Sequence, residues 1–232
     1  MAGRRVRIRR RTARVGPPRG PYQPGGEDTL TNGGLIVFEG IDGAGKSTQV
    51  DLLARALEAE GRSVVTTREP TDGPHGARIR SLSSQGAAVS LEEELEYFIE
   101  DRKEHVREVI SPALSRGEVV ISDRYYLSNV AYQGARGLSA AEVLARNEAL
   151  FPHPTAAILL ETSPRRALGR VEERGEALNL AYEREDFLVR VAGIYAEIDR
   201  PYLVRVPGEG SPGEVHQRVV GALSGLLEGA EP

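Results

Sequence analysis

The chain reads as an α/β protein: a five-stranded parallel sheet with helices on both faces. Two observations predict this. Short apolar runs of strand length alternate with helix-patterned segments from Leu35 onward, the order that parallel strands joined by crossover helices require. The runs are also continuously apolar, as strands covered on both faces must be. A chain of 232 residues with 40% hydrophobic and 28% charged composition fits one compact domain with a full core.

The strands are expected at Leu35 to Glu39, Ser63 to Arg68, Glu118 to Asp123, Ala156 to Glu161 and Tyr202 to Val206. Between the first two, Val50, Leu53, Ala54 and Leu57 recur at i, i+3, i+4 and i+7 and give one apolar stripe for packing on the sheet. Gly61 ends that helix. Ser90 with Glu93, Ser139 with Glu142, and Ser211 with Glu214 have capping-box spacing. Pro164 and Pro212 suit first-turn positions.

Residues 1–33 stand apart as an Arg-, Pro- and Gly-rich extension, with eight arginines against Glu27 and Asp28. Without them the net charge goes from −4 to −10, with 22 basic against 32 acidic residues. The head has no helical apolar stripe, so it is expected to be a disordered tail before a domain at 34–232, and no nucleic-acid partner is expected from it alone. No apolar run approaches the roughly 20 residues of a bilayer span, and no apolar segment follows the basic start as a secretory signal requires. A soluble cytoplasmic protein is expected. There is no cysteine, which excludes disulfides, thiolate metal sites and thiol nucleophiles. The four histidines lack ligand spacing, so any metal must be held by oxygen.

The first strand runs directly into Gly40-Ile41-Asp42-Gly43-Ala44-Gly45-Lys46-Ser47-Thr48, which matches the phosphate-binding pattern G-x-x-x-x-G-K-[ST] between a strand and a helix. The glycines let backbone amides turn toward phosphate oxygens, the helix start adds partial positive charge, and Lys46 can reach the β and γ phosphates. Ser47 is a candidate Mg²⁺ ligand. The third strand delivers Asp123 and Arg124 to the carboxyl edge of the sheet, where such folds bind ligands. There Asp123 can hold hydrated Mg²⁺ and Arg124 can offset phosphoryl charge. This is the three-layer P-loop NTPase arrangement. The loop alone does not separate a kinase from a GTPase, a motor or a nucleotide sensor. Arg68, at the end of the second strand, can grip an acceptor phosphate with its planar fork, and Phe98 and Arg102, at i and i+4 on one helix, can face one pocket.

Four segments together resemble the thymidylate kinase family: Phe38 to Thr48, Thr67-Arg68-Glu69-Pro70, Phe98-Ile99-Glu100-Asp101-Arg102, and Asp123 to Gly134. The resemblance spans Leu35 to about Leu227. It implies phosphorylation of dTMP to dTDP by ATP with Mg²⁺, and a homodimer. It also implies that Phe98 stacks on the thymine ring and Arg102 bonds its carbonyl edge. Asn129 and Tyr132 lie near the acceptor phosphate and sugar, Asp42 reaches the 3′-hydroxyl, and Gln133 lines the same pocket. A mobile lid is implied after the fourth strand, with its arginine among Arg165, Arg166, Arg170 and Arg174. Arg170 and Arg174 share a helix face. The chain departs from the family in two places. Glu172 and Glu173 interrupt the lid arginines, and Thr71-Asp72-Gly73-Pro74-His75 replaces the glycine-rich turn after Arg-Glu-Pro. A kinase for another nucleotide or nucleoside, and a nucleotide-regulated binding protein, are the competing readings.

Overall fold

The computed structural model describes residues 30, 33–85, 89–172 and 181–227. The basic head, apart from Leu30 and Gly33, lies outside the described residues, as do Arg174 and the stretch from Gly175 to residue 180. Leu30 and Gly33 are described ahead of the expected boundary at 34. Leu30 is buried in the core, and its carbonyl accepts bonds from Arg62 Nη1 at 3.0 Å and Gly33 N at 3.2 Å.

The elements follow in the order β1 (Gly34–Glu39), α1 (Lys46–Ala59), β2 (Val64–Arg68), α2 (Pro74–Gln85), α3 (Leu91–His105), α4 (Ser111–Ser115), β3 (Val119–Asp123), α5 (Tyr126–Ala135), α6 (Ala140–Leu150), β4 (Ala156–Glu161), α7 (Pro164–Glu172), α8 (Ala181–Glu197), β5 (Leu203–Pro207) and α9 (Pro212–Leu227). A π-helical turn at Val106–Ile110 joins α3 to α4. Each strand begins within a residue of its expected start. All strand pairs are parallel, in the order β2-β3-β1-β4-β5.

Continuous burial holds for the three inner strands only. β1 is buried throughout and β3 and β4 almost throughout. By contrast β2 and β5, which close the sheet, are mostly half-buried or exposed, because an edge strand has a neighbour on one side only. The α1 stripe of Val50, Leu53, Ala54 and Leu57 is buried as its spacing requires. Gly61, at φ 85°, ends the helix in the left-handed conformation that suits glycine, and Arg62 N closes the turn on Leu57 O at 3.0 Å.

The three capping boxes divide. At α9 both halves form: Glu214 N donates to Ser211 Oγ and Ser211 N to Glu214 Oε2. At Ser90 and Ser139 only the hydroxyl half forms, and the Glu93 carboxylate accepts from Tyr97 instead.

The strand order reverses beside β1: the chain leaves β1 toward the β2 edge, returns to β3 and then crosses over β1 to β4. Ligands bind at the carboxyl ends of strands beside such a point. Register brings the relevant residues level there: Phe38 pairs with Asp123, and Asp123 with Arg68.

The core depends on β-branched side chains in the inner strands. Truncating the fully buried Ile121 should remove about 2–5 kcal/mol of stability. Urea unfolding of Ile121→Ala should show a lower midpoint at unchanged slope.

Candidate active site

The loop after β1 turns on glycines in backbone regions closed to other residues. Gly40 has φ 135° and Gly43 φ 84°. A Cβ on Gly43 would collide with the carbonyl oxygen of Ala167 on α7, so space as well as backbone requires glycine there. Gly45 caps α1, whose first turn holds no acidic residue. The positive end of the helix therefore faces the loop without an internal counter-charge. Ile41 and Ala44 are buried, while Ser47 and Thr48 are exposed beside them.

Lys46 is buried and folds back over the loop, donating to Gly40 O at 3.0 Å and Ile41 O at 2.9 Å. Burial, followed by the positive charge of Arg124, lowers its pKa to about 8. Such a cation is short of negative charge, and a phosphate would supply it. Ser47 Oγ donates to Asp123 Oδ2, so a hydroxyl and a carboxylate oxygen touch at the mouth of the loop. Among the described residues no three His, Cys, Asp or Glu side chains gather to hold a metal. The Ser47–Asp123 pair fits a hard cation that takes its remaining oxygens from water and phosphate.

Arg124 is the only non-glycine with positive φ among the described residues, at 76°. Its N–H donates to Phe38 O at 2.9 Å and its carbonyl accepts from Ser122 Oγ at 2.7 Å, so both backbone groups are fixed. Its guanidinium bonds Asp42 at 2.6 Å and Ser128 at 3.0 Å, and lies 5.1 Å from the centre of the Tyr132 ring. Tyr132 Oη also donates to Asp42 Oδ2 at 3.0 Å. Desolvation pushes the Asp42 carboxyl up, but the charges of Arg124 and Lys46 outweigh it and hold the pKa below the usual range.

Behind this row lies a group that the sequence reading missed. Glu39 is fully buried and accepts bonds from Tyr125 N at 2.9 Å, Ser128 Oγ at 2.6 Å and Tyr195 Oη at 3.1 Å. Burial raises its pKa to about 7 despite these donors. A charged residue ending an otherwise apolar strand was the available signal.

On the far side of β3, Glu69 N donates to Asp123 O at 3.0 Å, which ties the Arg68-Glu69-Pro70 segment, with its cis Glu69-Pro70 bond, to the same strand end. Arg102 is buried. Its Nε and Nη2 donate to Glu69 Oε2 at 2.9 and 2.6 Å, and Nη1 to Asn147 at 2.6 Å. That uses three of the five guanidinium hydrogens and leaves two. The charge of Arg102 overcomes desolvation and lowers the Glu69 pKa. His105 Nδ1 contacts Glu69 Oε1 at 2.9 Å, and its Nε2 contacts Thr67 at 2.7 Å. Glu69, His105 and Asn147 therefore fix Arg102, and sequence spacing disclosed none of the three.

Phe98 lies one helical turn before Arg102 and is half-buried. Asn129 and Gln133 are buried on α5. Asn129 Nδ2 donates to Gln133 at 3.3 Å, while Asn129 Oδ1 is buried without a partner, as a side chain that lines a ligand site can be. Arg68 is exposed and pairs with Asp72 at 2.7 Å. Arg80, absent from the sequence reading, donates to Thr71 O at 2.6 Å and Pro70 O at 3.3 Å and so shapes the turn after Arg68. Of the arginines expected in a lid, Arg170 reaches the loop, with Gly43 O and Ala44 O at 3.4 Å and Gly208 O at 3.2 Å. Arg166 pairs with Glu209 at 3.3 Å on the surface.

A glycine loop and lysine at the switch point of a parallel sheet, with a hydroxyl–carboxylate pair and arginines around them, define a protein of the P-loop NTPase fold. The thymidylate kinase family model matches residues 38–219. A thymidylate kinase of Desulfotalea psychrophila is 41% identical over 197 residues, 84% of this chain and 96% of that protein. One of Xanthomonas euvesicatoria is 44% identical over 205 residues, 86% and 89% of the two chains. The crystal structure of thymidylate kinase from Ehrlichia chaffeensis superposes with a TM-score of 0.67 at 27% identity, covering 83% of this chain and 99% of that one. The chain belongs to the thymidylate kinase family.

Glu39 gives the site a pH signature. Its pKa is higher in the fold than the ordinary 4.5, so its contribution to stability is full below about pH 4.5 and is lost as pH rises through 7. Relative to Glu39→Gln, the wild type should lose about 2–4 kcal/mol between pH 4.5 and 8. Urea unfolding of both proteins across that range measures the difference.

Proposed function

We propose that the protein transfers the terminal phosphoryl group of ATP to dTMP, giving dTDP and ADP, and that it works in the cytoplasm as a homodimer. The observation that carries this reading is the double attachment of the β3 end. Asp123 is bonded through its side chain to Ser47 of the phosphate loop and through its carbonyl to Glu69, which grips Arg102. A donor on the loop and an acceptor held beside Arg102 would meet at that point. No helix among the described residues is long and apolar enough to cross a membrane.

In this reading an oxygen of the dTMP phosphate attacks the γ-phosphorus while the bond to the bridging oxygen of ADP breaks, with no covalent enzyme intermediate. The amides from Gly40 to Thr48 receive the donor phosphates. Lys46 leaves its loop carbonyls to bond the β and γ phosphates. Mg²⁺, when bound, neutralises charge between donor phosphates, and Ser47 and Asp123 are the residues that would hold it. Arg124 and the lid arginines, Arg170 and Arg174, stabilise charge spread over the transferring group. Arg68 takes the acceptor phosphate. Phe98 stacks on the base, and the two unused hydrogens of Arg102 meet its carbonyl edge. Asp42 reaches the sugar 3′-hydroxyl. Tyr132, fixed by Asp42 and Arg124, leaves no room for a 2′-hydroxyl, and Asn129 and Gln133 close the pocket. Most of the rate enhancement then comes from positioning and electrostatics.

Lys46→Ala should keep the wild-type circular dichroism spectrum while kcat falls by roughly 10²-fold or more. Near-native turnover would remove Lys46 from the reaction.

A coupled ADP-release assay over dTMP, dUMP, UMP, dCMP, dGMP and thymidine should give dTMP the highest kcat/KM and rank UMP below dUMP. Preference for another base would reassign the acceptor, and equal rates for UMP and dUMP would remove the steric role of Tyr132.

A further inference from the structure

The turn after Arg68-Glu69-Pro70 holds an acidic residue against the arginine assigned to the acceptor phosphate. Arg68 Nη2 donates to Asp72 Oδ1 at 2.7 Å, its one hydrogen bond among the described residues. Both side chains are about half exposed, at 46% and 50%. Arg80 Nη2 lies 3.5 Å from the same carboxylate oxygen, so one carboxylate sits between two arginines.

The turn presents Asp72 from a fixed base. Thr71 donates to the buried Asp101 through N at 2.8 Å and Oγ1 at 2.5 Å, and Gly73 N donates back to Thr71 Oγ1 at 3.1 Å. Gly76 packs so closely that a Cβ there would collide with the Thr71 carbonyl. Arg80 holds the carbonyls of Pro70 and Thr71. Arg68 itself stands level with Asp123 at the sheet edge. A phosphate monoester dianion arriving there needs the charge-assisted bonds that the Asp72 carboxylate already makes.

We propose that Asp72 is a built-in competitor for the acceptor phosphate: it occupies Arg68 while the acceptor site is empty and must be displaced for a nucleoside monophosphate to bind. The residue thereby weakens acceptor affinity and sets a higher working concentration for that substrate. This rests on the acceptor assignment made above. The exchange involves no covalent step. One carboxylate–guanidinium contact is replaced by one phosphate–guanidinium contact, and the freed carboxylate stays near Arg80.

Steady-state kinetics on the full chain with ATP and Mg²⁺ test the idea. Asp72→Asn keeps the shape and removes the charge, and it should lower the KM for dTMP about two- to fivefold, the range of an exposed ion pair, with kcat within twofold. Thymidine, which has no phosphate, should inhibit variant and wild type with equal Ki. In an Arg68→Ala background the same substitution should leave KM unchanged, because the competitor has lost its target. An unchanged or raised KM in Asp72→Asn would overturn the proposal, showing that Asp72 merely orients Arg68 or does nothing. An equal drop with and without Arg68 would also overturn it, since the effect would then be a general loss of negative charge. Absence of dTMP turnover in the wild type is a different failure: it removes the acceptor assignment itself, and the inference falls with it.

Discussion

The turn at the carboxyl end of β3 is the constraint on which the rest of the site depends. Two backbone groups and one side chain do the joining. Arg124 N bonds Phe38 O on β1, Asp123 O receives Glu69 N from the segment after β2, and the Asp123 carboxylate receives Ser47 from α1. Arg124 adopts a left-handed backbone at this place, a conformation that costs a non-glycine residue of the order of 1–3 kcal/mol. The bonds to its N–H and carbonyl leave that backbone no alternative. Parallel register supplies the rest, since Phe38, Asp123 and Arg68 come level only when β1, β3 and β2 are neighbours.

Charge is handled differently on the two sides of this turn. On the phosphate-loop side Lys46, buried and facing Arg124, is under-compensated, and its pKa falls. On the other side Arg102 is nearly satisfied. It shares Glu69 with His105, takes Asn147 as a further partner, and is sandwiched 5.2 Å from the Tyr125 ring centre and 5.3 Å from that of Phe151. A buried cation held by a carboxylate, an amide and two aromatic faces is rigid. The loop side thus leaves a cation short of anionic partners, whereas the Arg102 side holds its cation in a nearly complete set of them.

Much of the fold was legible because it rests on one-dimensional patterns. Apolar runs marked the strands, and the i, i+3, i+4, i+7 stripe placed α1. The edge strands misled only in burial, since the sequence of a strand does not declare how many neighbours it will have. The phosphate loop and Asp123-Arg124 were legible because their residues are adjacent along the chain. Glu39, Glu69, His105 and Asn147 were not, because each acts through a partner between 33 and 156 residues away. Contacts of that kind are set by strand order, which no local pattern carries.

Gly43 faces the carbonyl of Ala167 without room for a methyl group. That glycine belongs to the loop, and Ala167 to the helix from which Arg170 reaches back across it. A single atom-sized gap thus fixes how deeply the two segments nest. Any larger residue there would push the two segments apart and carry Arg170 away from the loop carbonyls it bonds.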